Sequence, residues 1–146
     1  MSSPSRPDTE GNKSTIRAYC AAIDAAQNTD ALNELASVAY RSHVPGMPPM
    51  DREATQQYGN AFYAACPGLR HTIDEIIGDG EVVAVRLTAR GTHTRPFGQI
   101  QPLNRTFELP FINWYRFDHA KVIEQRVSFD SMSFLQQIGA LPTPEV

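Results

Sequence analysis

Residues 121–130 form the run that most constrains the fold, because their side chains alternate as those of a β-strand do. Neighbouring side chains in a strand point to opposite faces of the sheet. One face then carries Glu124, Arg126, Ser128 and Asp130, and the other carries Ile123, Gln125, Val127 and Phe129. Asp130 ends the strand between Phe129 and an apolar cluster that begins at Met132. Apolar surroundings make a carboxylate a stronger base, so Asp130 is the first candidate for a catalytic residue.

Three further strands precede this run, at 70–77, 81–94 and 105–117. Gly78-Asp79-Gly80 predicts a hairpin turn between the first two, because glycine tolerates positive φ. A loop over 95–104 separates the second strand from the third, and Asp118-His119-Ala120 turns the third into the last. The sequence therefore predicts a meander of long antiparallel strands.

Helices are predicted at 14–26, 30–37, 51–65 and 131–139, with Asp51 as the N-cap of the third. A short strand at 38–43 leads into a proline-rich loop. Residues 1–12 are polar and rich in Ser and Pro, and we expect a disordered tail followed by a single domain over 13–142. Helices followed by antiparallel strands indicate an α+β fold, in which a curved sheet wraps around the helices as a cone with an apolar internal pocket.

The composition excludes several classes of partner. The chain has 146 residues and a net charge of −3, without the basic cluster that nucleic acid binding requires. No apolar run approaches the ~20 residues needed to span a bilayer, and the first residues do not resemble a secretion signal. We therefore expect a cytoplasmic protein that binds neither nucleic acid nor membrane, with Cys20 and Cys66 as buried thiols.

Several segments in order resemble the SnoaL-like polyketide cyclases of the NTF2-like superfamily. They are 69–77 with the turn 78–80, 82–86, Thr-Ala-Arg-Gly-Thr-His-Thr at 88–94, Ile-Asn-Trp-Tyr-Arg-Phe at 112–117, and Ser-Phe-Asp-Ser-Met at 128–132 with the segment 135–142. The resemblance implies an NTF2-like cone and a cofactor-free intramolecular aldol reaction on a polyketide-like, aromatic substrate. It also implies a homo-oligomer, most simply a homodimer, and an acid/base aspartate near the end of the last strand, which Asp130 matches.

This chemistry requires one positioned proton acceptor. A methylene between two carbonyl groups is acidic enough for a carboxylate to deprotonate it, and the enolate then attacks a nearby ketone. The same carboxyl group returns the proton to the new alkoxide. We expect no cofactor, and no metal either, because the four histidines do not fall at a ligand spacing such as His-x-x-x-His.

The other candidate site residues each have a structural alternative. His93 would stabilise negative charge on a substrate oxygen, or be an ordinary surface or hydrogen-bonded histidine. Asn113 is polar among aromatic neighbours and needs a partner, either a ligand or the surroundings of Asp130. His43 would lie at the mouth of the pocket. Aromatic residues would line the pocket, although a place in the ordinary core is the default interpretation for each: Tyr19, Tyr58, Phe62 and Trp114. His71 and His119 have no partner identifiable from the sequence, and we expect both to be solvated.

Three positions depart from the family pattern, and one of them is Asn113, where the family usually has Asp or another residue. Arg126 stands where the family usually has Trp, and on a strand it lies ~13 Å from Asp130, about the length of a substrate. We therefore predict that Arg126 binds an oxygen-bearing part of the ligand. Asn104 stands where the family usually has Gly, a mild change because Asn tolerates positive φ.

Three alternatives remain open from the sequence. Asp130 is also a favoured N-cap for the helix that follows it. A hydrolase or isomerase on the same fold is a second alternative, and hydrolysis would need another carboxylate in the pocket; the mid-strand candidates, mostly expected to face solvent, are Asp74, Glu75, Glu108 and Glu124. A non-catalytic small-molecule-binding protein is the third. The homo-oligomer is also supported by Ile112 and Trp114, which lie on the outer face of their strand.

Overall fold

The computed structural model describes residues 7–143. The helices are α1 Thr9–Ala26, α2 Leu32–Leu35, α3 Arg52–Ala65 and α4 Ser131–Gln137. The strands are β1 Ala36–His43, β2 Arg70–Asp79, β3 Val82–Thr92, β4 Thr106–Asp118 and β5 Lys121–Phe129. The predicted helices and strands are all present in the predicted order, and the predicted α+β cone is confirmed.

The N-terminal helix begins earlier than the sequence predicted. Asp8 accepts a hydrogen bond from the backbone N–H of Gly11, so that Thr9 begins α1. Asn12, expected in a disordered tail, is buried in this helix. The predicted tail is therefore wrong for residues 9–12, and its first six residues lie outside the part of the chain that the structure describes.

The five strands form one sheet in the order β1-β5-β4-β3-β2. Strands β2 to β5 pair in antiparallel fashion, and β1 joins beside β5 as a parallel edge strand. One face is apolar, with Val83, Val85, Leu87 and Ala89 buried along β3 as the alternation predicted. Helix α1 packs across β2 and β3, α3 against β1, and α4 against β4. The helices therefore cover the inner face and leave the outer face free of covering elements in the described chain.

Local sequence chemistry explains several of these boundaries. Asp51 caps α3 through a hydrogen bond from the N–H of Ala54, as predicted. Asn104 has a φ of 57°, the left-handed conformation that Asn tolerates. Both Cys20 and Cys66 are buried free thiols, and burial raises the pKa of Cys66 to about 11. Among residues 7–143, no helix is long and apolar enough to cross a membrane.

Candidate active site

A cavity of about 180 Å³ lies between the inner face of the sheet and helices α1, α3 and α4. Its wall is mostly apolar, with seven polar or hydroxyl-bearing side chains: Ser42, Thr55, Tyr58, Tyr63, His71, Asn113 and Gln125. No aspartate, glutamate, lysine or arginine of the described chain lines it. His71 is the one histidine among these lining residues.

His71 is held by a carboxylate from the first helix. Its ring Nδ1 lies 2.7 Å from Oδ1 of Asp24, and its backbone N–H donates to Oδ2 at 2.7 Å. The hydroxyl of Tyr63, from α3, also donates to Oδ1 at 2.7 Å. The side chains of Asp24 and His71 are 13% and 14% exposed, so the pair is largely withdrawn from solvent.

The surroundings of Asp24 favour its ionised form. Burial disfavours its ionised form, but the hydrogen bonds from His71 and Tyr63 outweigh that effect, and the pKa of Asp24 lies below its usual value. Burial and the hydrogen bond to Asp24 raise the pKa of Tyr63, which stays a phenol. Asp24 is thus an acceptor for three donors.

The arrangement fixes which nitrogen of His71 is available to a ligand. Because Asp24 accepts from Nδ1–H, the neutral imidazole carries its lone pair on Nε2. Nε2 has no hydrogen-bond partner within residues 7–143, and the ring lines the cavity. An imidazole oriented by a carboxylate, with a free Nε2, is suited to accept a proton from a bound molecule.

The prediction that His71 is solvated is wrong, because its side chain is largely buried against Asp24. The sequence nevertheless contains a signal for the Asp24–His71 pair. Asp24 follows the buried Ile16 and Cys20 at four-residue intervals, and therefore continues the inward stripe of α1. His71 shares its strand face with Ile73, which packs on the core. The two residues are 47 positions apart, so only the packing of α1 on β2 shows that they meet.

A second group of polar side chains lies elsewhere in the cavity. Gln125 is buried, and its Oε1 accepts a hydrogen bond of 2.5 Å from the hydroxyl of Tyr40. Asn113 donates through Nδ2 to the hydroxyl of Tyr115 at 3.1 Å, while its Oδ1 is buried and has no partner among residues 7–143. A buried amide that lacks a partner is costly, so this group is a candidate contact for a ligand.

The sequence profile described as SnoaL-like polyketide cyclase matches residues 13–138. The chain belongs to this family. No curated protein matches the sequence.

Solved structures show the same fold. A proposed SnoaL-like polyketide cyclase from Jannaschia sp. CCS1 superposes with a TM-score of 0.82 at 19% identity, covering 97% of this chain and all (100%) of its own. IdmH, a proposed polyketide cyclase from Streptomyces antibioticus, gives a TM-score of 0.73 at 27% identity, covering 87% of this chain and 98% of its own. An LEH-like epoxide hydrolase from M. tuberculosis gives a TM-score of 0.69 at 14% identity, covering 90% of this chain and 92% of its own.

In this SnoaL-like chain, Asp130 does not lie in the apolar surroundings that the sequence predicted. It is exposed, and its carboxylate accepts a hydrogen bond from the N–H of Ser133 at 3.0 Å as the N-cap of α4. It is not among the residues that line the cavity, although Phe129 and Phe134 on either side are. The structure therefore gives Asp130 the helix-capping position that was its alternative interpretation.

Arg126 and Trp114 lie on the outer face of the SnoaL-like sheet, directly opposite one another on β5 and β4. The Nε of Arg126 contacts Oε1 of Glu124 at 2.8 Å, and the arginine side chain is 57% exposed. Arg116 lies over the ring of Trp114 at 4.9 Å. Neither side chain lines the cavity, and their contact with a ligand stays a prediction. The alternation of β5 already placed Arg126 opposite the inward Gln125.

His93 is buried at the end of β3 but does not line the cavity. Neither of its ring nitrogens has a hydrogen-bond partner in the described part of the chain. Tyr19 lines a separate groove between α1 and α2, and His43 is half-buried beside the cavity-lining Ser42 and Val44. The structure thus does not bring His93, Tyr19 or His43 to the cavity wall.

Tyr58, Phe62 and Asn113 do lie in the cavity wall, and their contact with a substrate stays a prediction. Tyr58 meets Phe62 edge-on with ring centroids 5.1 Å apart. Phe62 in turn packs against Phe97 at 4.6 Å and Phe134 at 5.9 Å. These aromatic contacts join α3, the 95–104 loop and α4 into one side of the cavity.

Proposed function

We propose that this SnoaL-like protein is a cofactor-independent enzyme that closes a ring in a neutral, polyketide-like substrate by an intramolecular aldol-type reaction, with His71 as the acid/base residue. The observation that carries the proposal is the free Nε2 of an Asp24-oriented imidazole in the wall of an apolar cavity. Family membership supports the reaction class. His71 replaces Asp130 in the proposed role.

The proposed reaction needs one proton shuttle. Nε2 removes a proton from the carbon next to a carbonyl group, and Asp24 stabilises the imidazolium that forms. The enolate carbon then bonds to a second carbonyl carbon of the same molecule, and the new alkoxide takes the proton back from Nε2. Water is scarce in an apolar cavity, which favours ring closure over side reactions.

Two other functions are less well supported. A hydrolase would use a carboxylate in the cavity to activate water, and the described cavity wall contains none. Glu108 and Glu124 pair with arginines away from the cavity. A protein that only binds its ligand does not need a histidine oriented by a largely buried carboxylate. The buried thiols Cys20 and Cys66 fit action in the cytoplasm, which is part of the proposal.

The first step can be tested without the natural substrate. The protein should accelerate the exchange of α-hydrogens of 6-hydroxy-1-tetralone for deuterium in D₂O, followed by NMR. We expect a rate at least about 10²-fold above that of the same concentration of free imidazole, because a positioned base contributes about 10²–10⁴-fold. Exchange no faster than with imidazole would contradict the proposal.

We also propose that the outer face of the sheet binds a second copy of the chain. Ile77 is 59% exposed and Ile112 is 47% exposed, and both lie with the half-buried Trp114 on the outer face of the sheet. Light scattering at micromolar concentration should then give the mass of a dimer, and Ile112→Lys should give that of a monomer because it places a charge in the contact. A monomeric mass for the wild-type protein would contradict this.

A further inference from the structure

The amide of Gln125 is held in one orientation by Tyr40. The hydroxyl of Tyr40 donates to Oε1 of Gln125, and burial raises the pKa of Tyr40 to about 12, so the hydroxyl keeps the hydrogen that it donates. Because Oε1 is the atom of the amide that faces Tyr40, the NH₂ group lies on the other side. The Nε2 of Gln125 therefore points away from Tyr40, and it has no hydrogen-bond partner within residues 7–143.

Asn113 lies close to this donor. Gln125 pairs across the strands with Tyr115, and Asn113 is two residues along β4 on the same inner face. Diagonal neighbours of this kind are about 7–8 Å apart, so both amides serve one region of the cavity. Asn113 is 8% exposed and also has an unpaired amide atom.

This region is distant from His71. Asn113 pairs with Val85 and His71 pairs with Ala89, on strands that lie on opposite sides of β3. Two strand spacings and four residues along the strands separate Asn113 from His71, roughly 16 Å between Cα atoms before the sheet's curvature shortens it. Gln125 lies one strand farther from His71, and both side chains line the same cavity. For comparison, a cavity of ~150 Å³ holds a benzene-sized molecule.

We propose that Gln125, oriented by Tyr40, is a specificity-determining residue that donates a hydrogen bond from Nε2 to an uncharged oxygen at the end of the ligand remote from His71. The ligand is neutral, because no cationic side chain of the described chain lines the cavity to pair with an anionic group. This inference adds a binding contact to the proposed function. It rests on the proposed function only for the role of His71 at the opposite end of the ligand.

The experiment measures binding rather than turnover, with three probes of one ring system: 6-hydroxy-1-tetralone, 1-tetralone without the hydroxyl, and 1-tetralone-6-carboxylate. Gln125→Leu should weaken binding of the hydroxy compound about tenfold, the value of one hydrogen bond, and leave 1-tetralone within about twofold. Wild-type protein should bind the carboxylate at least about tenfold more weakly than the hydroxy compound.

Tyr40→Phe provides the matched variant, because it keeps the aromatic ring and removes only the hydroxyl that orients Gln125. Tyr40→Phe should selectively weaken the binding of 6-hydroxy-1-tetralone. If Gln125→Leu does not fold, Tyr40→Phe tests the same contact. The inference would be overturned if the variants lost equal affinity for both neutral probes or lost affinity for neither. Tight binding of the carboxylate probe by the wild-type protein would also overturn it. Because the readout is binding and not turnover, a failure of the proposed catalytic role of His71 does not alter the result.

Discussion

His71→Gln is expected to lower the rate of α-hydrogen exchange by about 10²–10⁴-fold, because glutamine cannot accept a proton. Gln is close to His in size and keeps a donor that can reach Asp24. The cavity wall should therefore stay intact, and the affinity for 6-hydroxy-1-tetralone should change by no more than about twofold. Exchange rates by NMR and affinities by calorimetry on the same samples check both statements.

Chemical rescue separates a catalytic role of His71 from a structural one. His71→Gly opens space for a free imidazole in the wall of the cavity, next to Asp24. Added imidazole should restore part of the exchange rate in this variant and leave His71→Gln unchanged. Rescue of neither variant, together with wild-type activity in His71→Gln, would show that His71 is not the base.

Asp24→Ala should have the largest effect on stability, lowering the free energy of unfolding by about 3 kcal/mol. Three donors lose their common acceptor in this variant: the backbone and ring N–H groups of His71 and the hydroxyl of Tyr63. Tyr63→Phe is the matched control, because it removes one of these hydrogen bonds and should cost about 1 kcal/mol. Urea unfolding measures both, and a loss below 1 kcal/mol for Asp24→Ala would contradict the proposed network.

The stabilisation from Asp24 should depend on pH. Its pKa is lower in the folded chain than the ~3.9 of an unfolded aspartate, so the folded state favours the ionised form. By linkage, this stabilisation is fully present above the unfolded pKa and is lost as pH falls through the folded pKa. The difference in unfolding free energy between wild type and Asp24→Asn should therefore shrink as the pH falls below about 4.

The sequence predicted the order of the secondary structure because local rules decide it. The alternation of β3 put Val83, Val85 and Leu87 inside, and the cap at Asp51 marked the start of α3. The start of α1 was misplaced because a polar sequence from Thr9 to Asn12 resembles a tail. One capping hydrogen bond from Gly11 to Asp8 makes it helical.

The candidate site was predicted less well because it depends on contacts between distant segments. Asp130 fits a family position and a helix cap equally well in sequence, and the structure places it at the cap. The predicted carboxylate candidates all lie on strands, whereas Asp24 lies on the inward stripe of α1. Gln125 was correctly placed on the inner face by alternation, but its partner Tyr40 is 85 residues away.

The central claim, that the acid/base residue of this SnoaL-like protein is His71 and not Asp130, is tested most directly by comparing two variants in one exchange assay. Asp130→Asn keeps the N-cap of α4 and should exchange the α-hydrogens of 6-hydroxy-1-tetralone at the wild-type rate. His71→Gln should lose at least about two orders of magnitude in that rate. The reverse result, a wild-type rate in His71→Gln and a loss of that size in Asp130→Asn, would contradict the account.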